Sequence, residues 1–170
     1  MSKYDQRGQR VDQQVNINFQ ASDRPDPTVL LDQGIKFLEA KSYQQAISAF
    51  KEVIEIEPSM SDAYYHLALA LLKGRRPKIL IRREIEAVDE LLNSATVMGD
   101  SDGTVQLFRA LVRDDYYNGN RIKNYPPPLV IDLVKTALSC KINIDKLRVL
   151  LSKLPMPDNQ LYAALVAQIS

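Results

Sequence analysis

The chain has no tryptophan, one cysteine (Cys140) and one histidine (His66) in 170 residues. A lone cysteine excludes an internal disulfide framework and a multi-cysteine metal site. His66 has no nucleophile or metal ligand at a recognisable spacing, so neither a triad nor a zinc site is expected. A Gly-rich phosphate loop, a paired zinc motif and a nucleophile elbow are also missing. Charge of one sign is lacking too. With 22 Lys and Arg against 21 Asp and Glu, the net charge of +1 makes no global case for nucleic acid or an acidic substrate. The longest strongly apolar run, Leu67 to Leu72, is too short to cross a bilayer. Residues 1–28 are polar overall, with no charged-then-apolar signal segment. These absences lead to the expectation of a cytoplasmic, non-enzymatic protein with no catalytic residue, no cofactor, no metal and no membrane contact.

What is present is an ordinary globular balance, 45% hydrophobic and 25% charged. The length suits one domain with a tail. The tail is the leader, residues 1–27, rich in glutamine and closed by "DRPDP". Within it Val15, Ile17 and Phe19 alternate with polar residues, as in a short strand. Two readings stand: a disordered tail, or a strand that docks on a partner.

From Thr28 the period becomes helical. Leu30, Leu31, Ile35, Phe37 and Leu38 share one spacing; after a break near Lys41-Ser42-Tyr43, Ala46, Ile47, Phe50, Val53 and Ile54 share another. Pro58 ends the second helix. "SDAYYHLALALL", Ser61 to Leu72, predicts the next helix, capped by Ser61 or Asp62. A further helix is expected from about Arg83 to Met98, stopped by Gly99. "SDGTVQLFRALV", Ser101 to Val112, begins 40 residues after the first Ser-Asp. The long interruption "RDDYYNGNRIKNYPPP" leads to a helix starting at the prolines. In it Asn118-Gly119 marks a turn, and Asp114 and Asp115 read as solvated acids or, less simply, as metal ligands. Two last helices, near Ile144 to Leu154 and Asn159 to Ile169, have Asp145 and Asp158 as candidate caps.

Gly34-x2-Phe37, Ala46-x3-Phe50 and Pro58 carry a resemblance: residues 28–59 resemble a tetratricopeptide repeat. Small residues at Gly34 and Ala46 allow close helix approach, and Phe37 and Phe50 fill the space beside them. Leu30 and Gln33 depart from the family's tryptophan and leucine. The resemblance implies an all-α fold, a short right-handed stack of about three hairpins. They are 28–59, a divergent 61–98 and a divergent 101–140, with capping helices over 144–170. It also implies a partner-binding concave face lined by the first helices of successive repeats. On this sequence that face is Leu31, Ile35 and Leu38, then Tyr65, Leu69, Leu72 and Lys73, then Arg109, Val112 and Arg113. Apolar with a basic end, it suits an amphipathic or acid-tipped peptide segment of another protein. The same apolar residues are equally readable as core, or as covered by the C-terminal helices. Leu31 and Ile35 stand where chaperone-binding relatives carry lysines and asparagines, so a carboxylate clamp is not expected.

"KGRRPKILIRR" concentrates six positive charges in 11 residues: Lys73, Arg75, Arg76, Lys78, Arg82 and Arg83. It reads either as a solvated loop or as a site for an anion or nucleic acid centred on Arg75, Arg76, Lys78, Arg82 and Arg83. Interleaved aromatics are absent, so nucleic acid is the weaker partner. Finally, "YDQRGQRVDQQVNINF" is similar to short leaders of bacterial proteins in multi-component signalling and defence systems. That similarity implies a bacterial adaptor whose leader couples it to another component.

Overall fold

The computed structural model describes residues 24–99 and 101–170, and the expected docking strand at Val15, Ile17 and Phe19 lies outside them. The class is all-α, as expected: the described residues form eight α-helices and no strand. No helix among them is long and apolar enough to cross a membrane.

Helix α1 spans Pro27–Glu39 and α2 spans Tyr43–Ile56. The side chain of Asp26 accepts the Thr28 N–H at 2.8 Å, and Pro27 takes the first helical position, where its missing N–H costs nothing. The chain reverses at Lys41, whose φ of 58° is left-handed. Phe50 is wholly buried against Gly34, where an added Cβ would fall 2.5 Å from the ring. Phe37 does not share that role. It is 38% exposed on the outer side of the hairpin, since the Gly34 notch admits one ring only and Phe50 fills it.

Helix α3, Ser61–Leu72, follows Met60 as its cap, not Ser61 or Asp62 as expected; both of these already lie in the first turn. It stops at two left-handed residues, Lys73 and Gly74, and a connection with a 3-10 turn at Pro77–Ile79 leads to α4, Arg82–Val97. The Glu84 carboxylate accepts the Ile81 N–H at 3.2 Å, closing the first turn of α4. Helix α5, Gly103–Arg113, is capped by Asp102 and widens into a π-helical segment, Asp114–Asn118. Three more helices follow: α6 (Val130–Ser139), α7 (Ile144–Lys153) and α8 (Gln160–Ile169). Their caps correct the expectation. Asn143 and Asn159 accept the Lys146 and Tyr162 N–H groups, while Asp145 pairs with Arg148 and Asp158 with Arg76.

Successive helices pack on one another from α1–α2 through α5–α6, α1 also meets α3, and α7 packs on both α5 and α8. Phe50, Ile85, Leu92, Phe108, Leu111 and Leu150 are among the wholly buried side chains of one continuous core.

Candidate partner-binding cleft

Helix α3 lies at the middle of the molecule, and its Tyr65 and Leu69 face α7. Lys146 of α7 places its ammonium 4.2 Å from the Tyr65 ring centroid, 3.6 Å from Asp102 and 4.0 Å from Asp62. Tyr65 in turn meets Phe108 edge-on at 5.5 Å. Leu147, Leu150 and Leu151 bury the inner side of α7. The chain's own seventh helix therefore lies against the face that the sequence assigned to a partner.

A cleft of about 340 Å³ remains between α7 and α1, with α3 as its floor. Ile35, Leu38, Tyr65 and Leu69 line it, four of the ten residues expected on the binding face. Val149, which is 52% exposed, and Lys153 form the α7 wall. Around Leu38, Leu69 and Lys153 it continues into a hollow of about 280 Å³ that adds Lys41 and Tyr43.

The other expected groove residues lie elsewhere. Leu31 does not line the cleft, although at 9% it is slightly more exposed than the floor residues Leu38, Tyr65 and Leu69 (3–5%). Leu72 and Val112 have no exposed surface, and Lys73 is the exposed left-handed cap of α3. Arg109 grips Asp89 through two hydrogen bonds of 2.8 and 3.0 Å, and Arg113, 2% exposed, adds a third at 2.9 Å. The Arg113 guanidinium also stands over the Tyr117 and Tyr125 rings and donates to the Pro126 carbonyl. It pins the long connection after α5 and is not available as the basic end of a groove.

The basic stretch is largely neutralised by acids that come from outside it. Arg75 pairs with Glu84 at 3.1 Å and Arg82 with Glu86 at 2.7 Å. Arg76 donates to both oxygens of Asp115, at 2.6 and 3.2 Å, and to Asp158 at 2.6 Å. Asp115 is only 1% exposed and also accepts the Lys78 N–H at 2.8 Å, so it is a buried anchor and not a solvated acid. Among the described residues no cluster of acids, histidine and cysteine could hold a metal ion. The side chains of Lys78 and Arg83 form no ion pair there.

His66 sits on the cleft wall beside Phe50 and Tyr65, its Nδ1–H donating to the Asp62 carbonyl at 2.7 Å. Burial pushes its pKa below the ordinary value, and the ammonium groups of Lys146 and Lys153 push the same way against Asp62. The unfolded chain therefore takes up the proton first. The stability that neutral His66 contributes is complete above about pH 6.5 and is lost as pH falls from there towards the folded-state pKa. Urea midpoints measured from pH 7.5 to 5 should fall less for His66→Gln than for the parent; equal slopes would show that other groups dominate. Asp102 adds a loss at lower pH. Burial alone would raise its pKa, but the Thr104 and Asn143 N–H groups and Lys146 bring it below the ordinary range.

Sequence periodicity found the floor of the cleft and missed its wall. Val149 gave one signal, an apolar residue among Arg148, Ser152 and Lys153 on the outer side of α7. Comparison with protein-family models, curated proteins and solved structures finds no match.

Proposed function

We propose that this protein is a non-enzymatic protein–protein interaction module of tetratricopeptide-like build, an adaptor that holds a segment of another protein in the cleft between α1, α3 and α7. The observation that carries this reading is the pairing of an apolar floor with Val149, an apolar side chain left half in water on the wall of the same cleft. An exposed apolar residue beside an apolar hollow is stabilised when a partner covers both. Lys41 and Lys153 at one end favour a segment with an acidic tip, and Glu39 and Asp145 along the edge favour basic residues further on. The resemblance of the leader supports a bacterial signalling or defence system as the setting. Anion or nucleic-acid binding through residues 73–83 has less support, because Arg75, Arg76 and Arg82 already hold carboxylates.

Selection of random peptides on the full chain tests the reading. Selected peptides should share apolar residues at helical or alternating spacing with an acidic end. Val149→Asp should weaken their binding about tenfold or more, roughly 1.4 kcal/mol, while the circular dichroism and melting point stay unchanged. Binding that is indifferent to Val149→Asp would overturn the cleft as the site.

A further inference from the structure

The first hairpin has a second hollow, separate from the cleft and on its opposite side. It is a groove of about 490 Å³ between α1 and α2, floored by Leu30, Phe37 and Ala49 and edged by Gln33, Gln45, Ser48 and the carboxylate of Glu52. The hairpin packs on α3, and among the described residues its main helix contacts are with α3 alone. The end of a helical row needs a cover or a polar face, yet here Phe37 and Val29 are 38% and 52% exposed.

We propose that the leader of the same chain covers this groove, with Val15, Ile17 and Phe19 seated along Leu30, Ala49 and Phe37. Three observations support it independently of the cleft. The first is reach. The leader joins the described chain at Arg24, and Phe19 lies eight positions before Pro27, a span of up to about 27 Å. The groove from Leu30 to Phe37 is only about 10 Å long at the helical rise per residue. The second is fit. In an extended chain Val15 to Phe19 covers about 13 Å, and their alternation turns all three side chains to one side. The third is the rim. An extended segment laid between two helices has no ladder partner for its backbone N–H and C=O groups. The amides of Gln33 and Gln45 and the hydroxyl of Ser48 can both donate and accept, so they satisfy a strand-like occupant in a way that an apolar rim could not.

The absence of tryptophan makes the test direct. Phe19→Trp introduces the chain's sole indole, to be read by emission wavelength and acrylamide quenching in the full-length protein. A synthetic peptide of residues 10–26 with the same substitution serves as the exposed reference. The indole should emit to the blue of the peptide and be quenched severalfold less, at every protein concentration. Phe37→Asp should restore peptide-like values, and so should Ser48→Arg. The second variant narrows the groove at an exposed position and keeps Phe37 in place. An indole as exposed as the peptide overturns the proposal, as does protection that neither variant disturbs. Protection that grows with protein concentration also overturns it, since the occupant is then the leader of another copy. Protection lost with Val149→Asp but kept with Phe37→Asp would move the leader to the cleft, again against the proposal.

Discussion

Phe50→Ala should lower the unfolding free energy by about 3–5 kcal/mol, the usual loss for a buried phenylalanine truncated in a core that cannot collapse. The ring has no exposed surface and fills the notch left by the missing side chain of Gly34. Neighbours on α1 cannot advance into the space, because α1 is held at both ends, by the Asp26 cap and by the turn at Lys41. The partner substitution separates the two causes. Gly34→Ala places a Cβ 2.5 Å from the Phe50 ring, and overpacking of this kind costs about 1–3 kcal/mol. Alanine also favours the helix by about 1 kcal/mol over glycine. In the parent the clash should win and Gly34→Ala should destabilise; in the Phe50→Ala background the clash is gone and the same change should stabilise. Urea denaturation of the four proteins reads the sign. A Gly34→Ala effect equal in both backgrounds would show that the notch is not what holds Phe50.

The second large effect is expected at Asp115. Arg76→Ala leaves a carboxylate that is 1% exposed with the Lys78 N–H as its remaining polar contact. Removing one member of a buried pair costs about 3–5 kcal/mol, and the loss here should lie at the lower end because Arg76 itself is 25% exposed. Asp115→Ala strips the acceptor from the Lys78 N–H and from two guanidinium nitrogens together, with a loss in the same range. Asp158→Ala should change the melting point little, since Asp158 is exposed and its pair with Arg76 is screened by water. Thermal melts of the three variants decide the matter. If Asp158→Ala proves as damaging as Arg76→Ala, the stabilising contact is the one to the C-terminal segment and not the buried one.

Local pattern made the helices legible. Gly34, Ala46, Phe50 and Pro58 mark the first hairpin through contacts within one stretch of chain, and Gly99 marks the end of α4. Legibility stopped where a distant residue decides. Asp145 and Asp158 are good cap formers, yet the helices begin at Ile144 and Gln160, which puts Asn143 and Asn159 at the cap positions and leaves the aspartates to pair with Arg148 and Arg76. The run from Lys73 to Arg83 looked like free positive charge. Its partners Asp115 and Asp158 stand 39 and 82 positions from Arg76, a separation at which no sequence pattern survives. In the cleft, Leu69 and Leu72 have the same helical credentials. What separates them is the position of α7, which leaves Leu69 on the floor of a hollow and Leu72 sealed.

A row of helices that touched only their neighbours in sequence would come apart from either end, one unit at a time, with a stability that is a sum of local terms. This chain departs from that at its tail. Helix α7 packs back on α5, Lys146 spans to Asp62 and Asp102, and Arg76 ties the connection after α3 to the residue two places before α8. The last thirty residues are thereby stitched to the middle of the molecule. Helix α8 packs chiefly on α7 and can fray first, but detaching α7 must break contacts with α3 and α5 at once, which turns a zipper into a clasp and makes loss of α7 and loss of the centre a single cooperative event.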